Sequence, residues 1–475
     1  MVRKMLNCTL DEYAIKSSLF ESSLSGEYRK KNGVFYTDVR LSRLIFDYLA
    51  LDPKKLILDP CCGVGSFLYS AIEYGCDNVY GADIDVKAVR MCKTLTGLKS
   101  TVKKMDTLFE DSKVVLKKLG LKEKADCVVG NPPYCPMEGI VVTDNTDYLF
   151  QRKVKDSGNN LFVVALYRSF ELVKDDGMIS YIVPKNFLHV FSYSLLRKHI
   201  LNKKAILFIV DLGSCFSNVR GEQILITIKN CYIEDNEIRL LRYIGDSFQN
   251  VCSVKQSFYS DEILLFSSEE EFNVYCKLEG TYTKFSDICG GYVGRGRSLD
   301  EDAVSGKDIR KFGFKNRQVP ARGNQVFIQN IYSAEAGIIA SFAGNELKAK
   351  QTVTVFTDGD EKMCRYMVGI LHSRLCNFYL LKFCYNNSRL TMHTDAKYLR
   401  KLPLKKDNEV LFNQIVSLVE AIEGREYMSE IWFEMIEELN ELVYNMYGIS
   451  SSERSYIDEE IKSLQSKRWI NDRDK

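Results

Sequence analysis

Leu56-Ile57-Leu58-Asp59-Pro60-Cys61-Cys62-Gly63-Val64-Gly65-Ser66-Phe67 is the stretch that indicates the fold of this chain. Its apolar start predicts a short buried strand, and a helical pattern follows the two glycines as far as Ile72. A strand, a glycine turn and a helix in this order are typical of the phosphate- or nucleoside-binding loop of doubly wound α/β folds. Because the spacing is not G-x-G-x-x-G, the loop suits a nucleoside better than a dinucleotide.

Acidic residues end the next two predicted strands. The run Val79-Tyr80-Gly81-Ala82 leads into Asp83-Ile84-Asp85, and Lys103-Lys104-Met105 leads into Asp106. An acid at the tip of the second strand is placed to accept hydrogen bonds from both ribose hydroxyls, and the third acid is placed near an exocyclic amine. A single exposed Asp at a strand end is common turn chemistry. Repetition at successive strand ends predicts one ligand site along the carboxyl edge of the sheet.

A fourth strand, Asp126-Cys127-Val128-Val129-Gly130, runs into Asn131-Pro132-Pro133-Tyr134. Two consecutive prolines hold the backbone extended and rigid. The Asn side-chain oxygen, a Pro carbonyl and an aromatic ring therefore lie close together on a stiff loop. This arrangement suits a planar amino group, since it offers two acceptors for its hydrogens and a π face for its ring.

Asp59-Pro60-x-x-Gly63-x-Gly65-x-Phe67, Asp83, Asp106 and the Asn131–Tyr134 loop, in this order, resemble a known family. They look like the class I S-adenosylmethionine-dependent N6-adenine DNA methyltransferases of the gamma order, the TaqI-like enzymes of restriction-modification systems. The resemblance covers most of residues 28–230. It implies an α/β fold with a doubly wound, Rossmann-like mixed sheet, followed by a C-terminal α+β target-recognition domain and a helical tail.

The resemblance also implies the cofactor S-adenosyl-L-methionine and a set of residues that bind it. Lys31–Thr37 is similar to the family motif that packs against the methionine end, with Asp38 where the family often has proline. The implied cofactor-binding residues are Tyr36, Thr37, Asp59, Cys61, Gly63, Gly65, Asp83, Ile84, Asp106 and Asn131. For Cys61, packing of a small residue beside the cofactor is favoured over a reactive thiol.

The implied catalytic residues are Asn131, Pro132 and Tyr134. The Asn131 side-chain oxygen and the Pro132 carbonyl would accept hydrogen bonds from the two N–H groups of an adenine amine. Electron density then stays on that nitrogen, and methyl transfer becomes feasible. Tyr134 and Phe216 would stack on the extruded base. Positioning can supply on the order of 7–11 kcal/mol of such a barrier, and no general base is required. Lys185 and Asn186 are expected on a solvated loop.

Other functions remain open at this point. Release-factor glutamine methyltransferases share the Asn-Pro-Pro-Tyr loop, because a glutamine amide and an adenine amine pose the same chemical problem. An RNA methyltransferase with this loop and a binding module that has lost the chemistry are further alternatives. The long region after the catalytic motifs favours a site-specific, adenine-specific DNA methyltransferase.

Composition places the protein in a reducing compartment and limits its partners. The 475 residues include 15 Cys without a C-x-x-C pair and four His, so we expect no metal. No apolar run reaches membrane-spanning length and no signal peptide is evident, which predicts the cytoplasm of a bacterial or archaeal cell, associated with the nucleoid and not with a membrane. A net charge of +2 means that contacts with double-stranded DNA must be local. The candidate DNA-binding residues are Arg295, Arg297 and Arg389.

The predicted organisation has four segments: an N-terminal helical segment (1–27), a catalytic domain (28–245), a target-recognition domain (246–408) and a C-terminal helical region (409–475). Only about thirty residues precede the methyltransferase motifs, which is too few for a nuclease domain. We therefore expect a protein that modifies DNA without cutting it, either with a separate restriction endonuclease or as a solitary methyltransferase.

Overall fold

The computed structural model describes residues 6–27, 36–137, 158–213, 221–281, 283–284, 292–385, 392–394 and 396–473. The chain divides into two compact units, Met1–Ser267 and Ser268–Lys475. The helices and strands of the first unit are α1 (Leu10–Ser23), α2 (Val39–Leu49), β1 (Leu56–Asp59), α3 (Ser66–Tyr74), β2 (Asn78–Asp83), α4 (Val86–Thr96), β3 (Val102–Lys104), α5 (Ser112–Leu119), β4 (Ala125–Gly130), α6 (Leu161–Leu172), β5 (Val173–Pro184), α7 (Ser194–Lys203), β6 (Ala205–Gly213), β7 (Gln223–Lys229), β8 (Glu237–Ile244) and β9 (Ser247–Lys255).

Within the described part of the first unit, nine strands form one sheet in the order β3-β2-β1-β4-β5-β7-β6-β8-β9. Strands β1 to β5 run parallel to one another, whereas β7 is antiparallel to both β5 and β6. The chain builds outward from β1 to β3 and then crosses back to place β4 on the other side of β1. The topological switch point therefore lies between β1 and β4, where open α/β sheets bind ligands. The predicted doubly wound mixed sheet is confirmed.

Helix α6 is buried on both the sheet side and the outer side, so it is not amphipathic. Nearly all of its side chains are buried, and Phe162 and Leu166 have no exposed surface. The cause is that α6 packs against β4, β5 and α5. A helix that is buried on nearly all sides belongs to the interior of a domain, and this one supports the strand that precedes Asn131.

The second unit contains α8 (Glu269–Thr281), β10 (Thr283–Lys284), β11 (Tyr292–Arg295), β12 (Ile309–Arg310), β13 (Gly313–Phe314), β14 (Gln325–Gln329), β15 (Ile331–Tyr332), β16 (Ala340–Ala343), β17 (Val353–Thr357), α9 (Glu361–His372), α10 (Arg374–Tyr379), β18 (Met392–His393), α11 (Ala396–Leu399), β19 (Pro403–Leu404), α12 (Glu409–Glu423), α13 (Glu430–Tyr447) and α14 (Ser451–Arg473). Its largest described sheet has the order β11-β17-β14-β16 and is antiparallel. Gly448 caps the end of α13 with a φ of 63°.

The predicted boundary between residues 245 and 246 differs from the division of the structure. Ile244 and Ser247 pair across it, because β8 and β9 form an antiparallel hairpin at the edge of the large sheet. Residues 268–475 also form one compact unit, without a break at 408. The reason is that α9 packs both on the strands β14 and β16 and on α12. The functional assignment of the four segments stays a prediction.

Candidate active site

Four predicted site residues lie at one edge of the large sheet. Asp59 ends β1, Asp83 ends β2, Asp106 follows β3 and Asn131 follows β4. Because these four strands are parallel and adjacent, their carboxyl ends share this edge. The structure therefore brings together residues that are distant in the sequence, since Asp59 and Asn131 are 72 positions apart.

The Asp83 carboxylate is fixed by backbone N–H groups on both sides. Its Oδ2 accepts a hydrogen bond from Gly63 N at 2.8 Å, and its Oδ1 accepts one from Asp85 N at 2.8 Å. Burial raises the pKa of Asp83, and these N–H groups oppose the rise. Asp85 has a different role, since it caps α4 by accepting from Lys87 N. Between the two acids, Ile84 is 65% exposed, which leaves an apolar surface beside Asp83.

Asp59 is the most enclosed acid of the site, with 1% of its surface exposed. Its Oδ1 accepts a hydrogen bond from Cys61 N at 3.0 Å. Burial raises the pKa of Asp59 well above its ordinary value, and the nearby Asp83 adds to the rise. Burial and the same two carboxylates also raise the pKa of the Cys61 thiol. A thiol with a raised pKa is a poor nucleophile, which agrees with a packing role for Cys61.

Tyr36 and Thr37 lie against the loops that follow β1 and β4. Gly63 has a φ of 52°, and a Cβ atom at this position would lie 2.7 Å from the Tyr36 ring, so only glycine fits. Thr37 is buried, and its Oγ1 accepts a hydrogen bond from Asn131 Nδ2 at 3.1 Å. Asp38, which replaces the proline of the family motif, caps α2 by accepting from Arg40 N at 2.8 Å.

The Asn131 side chain is held at both ends. Its Nδ2 donates to Thr37, and its Oδ1 accepts from the Tyr134 hydroxyl. The same hydroxyl also lies 2.8 Å from the Ile182 carbonyl oxygen. A phenol has one proton, so a full hydrogen bond to Ile182 would leave Asn131 Oδ1 for another donor. The Tyr134 ring packs edge-on against Phe162, with 6.4 Å between the ring centroids, and Pro132 is buried.

The sequence predicts a glycine turn at Gly130, but sequence reasoning missed that Gly130 couples the two central loops. A Cβ atom at Gly130 would lie 2.7 Å from Asp59 Oδ1, and its φ is 153°. Glycine therefore permits the backbone before Asn131 to approach the buried carboxylate closely. The signal was available in the sequence, because a glycine follows the two β-branched residues Val128 and Val129 at the end of the strand.

The loop after β3 is tied to the loop after β1. Asp106 Oδ1 accepts hydrogen bonds from Leu108 N at 3.0 Å and Phe109 N at 3.2 Å. Thr107 Oγ1 donates to the Pro60 carbonyl at 2.6 Å, a contact that sequence reasoning also missed. Both of these bonds to Asp106 use Oδ1, and Oδ2 takes part in neither.

The expectation of a solvated loop is wrong for Lys185 and right for Asn186. Lys185 is 7% exposed and pairs with Asp211 at 2.9 Å and Glu222 at 2.7 Å. Burial alone would lower the pKa of Lys185, but these carboxylates raise it above its ordinary value, so the residue stays charged. Asp211 and Glu222 flank residues 214–220, and Phe216 lies there, outside the described residues.

Arg295 and Arg297 are exposed on the second unit and line a groove of about 460 Å³. Gln325, Asn345 and Lys348 also line it, and Phe327 contributes to its apolar floor. The glycine between the arginines allows tight packing, since a Cβ at Gly296 would lie 2.4 Å from the Ala349 carbonyl oxygen. Arg389 lies outside the described residues.

No group of three or more His, Cys, Asp or Glu side chains that could hold a metal ion occurs among the described residues. The helices of the same residues include none with both the length and the apolar character that a membrane span requires.

Residues 77–216 match the Eco57I restriction-modification methylase family. The Type II methyltransferase M.VspI of Vibrio sp. (strain 343) is 29% identical over 211 residues, 43% of this chain and 49% of that protein. The modification methylase CviBIII of Paramecium bursaria Chlorella virus NC1A is 26% identical over 226 residues, 46% of this chain and 56% of that protein. The resemblance to restriction-modification methyltransferases is confirmed. The chain spans about half the length of these curated relatives.

A solved structure of the Type IIL restriction-modification enzyme MmeI in complex with DNA is similar in fold. The TM-score is 0.54 at 14% identity, and the match covers 95% of this chain and 82% of that chain. At this identity the likeness concerns the fold alone. The α/β fold with a mixed sheet that the sequence predicts is confirmed.

Substitution of Gly63 tests the packing of the cofactor loop against Tyr36. We expect Gly63→Ala to displace the Tyr36 ring and to weaken S-adenosylmethionine binding by about tenfold, which corresponds to about 1.4 kcal/mol. Gly120→Ala is the matched control, because Gly120 also has a positive φ, 78°, but a Cβ there would meet nothing within 4 Å. Calorimetric titration of both variants checks this expectation. An equal loss of affinity in the two would show that backbone strain, and not contact with Tyr36, is the cause.

Proposed function

We propose that this chain is a site-specific DNA methyltransferase. It transfers a methyl group from S-adenosylmethionine to N6 of an adenine extruded from duplex DNA, as the modification enzyme of a restriction-modification or defence system. The observation that carries the proposal is the position of Asn131 at the topological switch point, hydrogen-bonded to Thr37 and Tyr134 beside the acids that end β1 and β2. The modification methylases that match the chain support it.

The residues at the sheet edge fit the cofactor on structural grounds. Asp83 is fixed by two N–H groups, and its remaining lone pairs suit the ribose hydroxyls. The exposed Ile84 offers an apolar face for an adenine ring, and Asp106 Oδ2 would accept from its amine. Gly63 and Gly65 bring the backbone close, while Tyr36 and Thr37 would border the methionine part. When bound, the cofactor supplies an electrophilic methyl group on a sulfonium.

Asn131 and Pro132 would act on the amine of the target base. Asn131 Oδ1 and the Pro132 carbonyl accept hydrogen bonds from the two N–H groups of this amine. These hydrogen bonds hold the nitrogen in place and keep electron density on it. The Tyr134 hydroxyl can donate to the Ile182 carbonyl instead of to Asn131, so the side-chain oxygen becomes available without breaking the loop. The remaining Nδ2 bond to Thr37 keeps the amide oriented. Phe216 is the proposed second stacking partner of the base.

The groove around Arg295 and Arg297 is the proposed DNA-recognition surface of the second unit. Arginine binds phosphates and reads guanine edges, and glutamine and asparagine side chains pair with adenine. Gln325 and Asn345 provide these amides next to the two arginines. Lys348 contributes less charge, because it pairs with Asp300 at 2.7 Å.

Methyl transfer to DNA is the direct test. Purified protein should incorporate label from S-adenosylmethionine into duplex DNA, and long-read sequencing of DNA from expressing cells should locate modified adenines in one motif. Asn131→Ala should lower the rate by about 10²-fold or more, because the nitrogen is no longer held, while cofactor affinity changes little. Asn202→Ala, an exposed Asn on α7, is the matched control.

Two outcomes would contradict the proposal. Label in a release factor or in RNA, but not in duplex DNA, would assign the site to another substrate that shares the planar amine or amide. Loss of cofactor binding in Asn131→Ala, measured by calorimetry, would show that Asn131 binds the cofactor and does not position the base.

Cofactor binding should depend on pH through Asp59 and Asp83. Their pKa values are raised in the free protein, and a cationic ligand favours the ionised carboxylates. Binding therefore releases protons, and affinity should increase as the pH rises toward the free-protein pKa values, by up to about tenfold per pH unit for each proton. Calorimetry in buffers of different ionisation enthalpy measures the release. S-adenosylhomocysteine lacks the sulfonium charge, so its binding should release fewer protons. Equal pH dependence of the two ligands would exclude this coupling.

Arg295→Ala and Arg297→Ala should weaken DNA binding. If the arginine contacts a phosphate, the slope of log K against log salt should fall by about one for each variant. If it reads a base, one position of the motif should lose about 1–3 kcal/mol of discrimination instead. Arg425→Ala, an exposed arginine after α12, is the control. Unchanged affinity, slope and motif in both variants would remove this groove from the DNA interface.

A further inference from the structure

Phe191 is an exposed aromatic side chain at the carboxyl edge of the large sheet. It is 83% exposed, and Leu195, one helical turn further on, is 52% exposed. It lies on a short 3₁₀ turn, Phe191–Tyr193, that follows β5 and precedes α7. Since β5 is parallel to β4 and adjacent to it, this turn leaves the sheet at the edge where Asn131 lies.

The backbone that carries Phe191 is held in place by a buried arginine. Arg197 is 1% exposed, and its Nη1 donates to the Phe187 carbonyl at 2.8 Å and to the Val190 carbonyl at 2.7 Å. Its Nε donates to Asp261 Oδ1 at 3.0 Å, and Ser194 Oγ donates to Oδ2 of the same carboxylate at 2.6 Å. The exposure of Phe191 is therefore a consequence of a fixed turn.

Aromatic packing connects this turn to the catalytic loop. The Tyr193 ring lies 5.1 Å from the Phe162 ring, between centroids, and Phe162 lies 6.4 Å from Tyr134. Tyr193 also abuts the chain at Gly158, where a Cβ would lie 2.7 Å from its ring. Phe191 thus projects from the same packed layer that supports Tyr134.

The charge of the surrounding segment favours nucleic acid over a protein partner. Residues 184–204 contain no Asp or Glu. Lys185 and Arg197 are enclosed in ion pairs, so the exposed cations of this segment are Lys198 and Lys203. Asn186, His189, Ser192 and Lys198 are exposed in this segment. An apolar ring among groups that donate to phosphates is typical of surfaces that stack on bases while they contact the backbone.

We propose that Phe191 stacks on or wedges against a base of the duplex beside the target adenine, where it compensates stacking that is lost when the adenine is extruded. This inference rests on the proposed DNA methylation. Exposed aromatic and apolar side chains act in this way in proteins that unstack DNA, and base flipping leaves a gap in the stack that such a ring can fill.

Steady-state methylation of a duplex that carries the sequenced motif tests the role of Phe191. Phe191→Ala should raise the KM for DNA by about 5-fold to 150-fold, while cofactor affinity and Tm stay unchanged. Phe191→Trp should have a KM close to that of the wild type. Phe191→Leu, which keeps an apolar side chain without a π face, should have a KM close to that of Phe191→Ala. Tyr232→Ala is the matched control, because Tyr232 is 60% exposed and follows β7 at the opposite edge of the sheet.

Each outcome separates this inference from the proposed function. Active wild-type protein with an unchanged KM in Phe191→Ala would overturn the role of Phe191 and leave the methyltransferase assignment intact. If Phe191→Ala has a raised KM but Phe191→Leu and Phe191→Trp both keep a KM near that of the wild type, stacking by a π face would be overturned. Wild-type protein that modifies no DNA would overturn the proposed function itself.

Discussion

The close approach of Asp59 and Gly130 is the contact on which the site depends. A side chain at residue 130 would overlap the Asp59 carboxylate, so glycine lets the ends of β1 and β4 lie in contact at the switch point. The loop after β1 carries Cys61 and Gly63, and the loop after β4 carries Asn131. One local contact therefore sets the distance between the loop proposed to bind the nucleoside and the loop proposed to bind the target amine. In a reaction that depends on positioning, this distance matters more than the chemistry of any single group.

Carboxylates at this edge are costly for the free protein. Burial raises the pKa of both Asp59 and Asp83, and the neighbouring carboxylates add to the rise: Asp83 acts on Asp59, and Asp85 acts on Asp83. Backbone N–H groups of Cys61, Gly63 and Asp85 offset part of the cost. A cationic ligand would offset more of the cost of ionising these carboxylates. The same burial that makes their ionisation costly would therefore make this edge of the sheet favour a positively charged ligand. Ligand binding and stability of the first unit are then coupled through one set of groups.

Local sequence signals were sufficient for the sheet edge and insufficient for what surrounds it. The glycine loop, the acids after β2 and β3 and the Asn-Pro-Pro-Tyr loop depend on turn chemistry and strand periodicity, which short stretches of sequence encode. The burial of α6 on all sides, the enclosure of Lys185 by Asp211 and Glu222, and the hairpin across residue 245 depend on partners that are distant in the sequence. The Asp38 cap could have been predicted, because an Asp before an apolar helical pattern is a common helix start.

A net charge of +2 gives little indication of how this protein would contact DNA, because many of its cations are enclosed in the structure. Arg197 pairs with Asp261, Lys382 with Glu271, and Arg365 with Glu423, and each of these cations is nearly buried. Such pairs cancel within the fold and contribute little to the field outside it. The charge that a duplex would meet comes from exposed groups in short stretches such as residues 184–204 and 295–297. Because the net charge is only +2, long-range attraction would be weak, and affinity would have to come from contacts at short range. Stacking by an aromatic ring is one such contact, since it does not depend on the ionic strength in the way that phosphate contacts do.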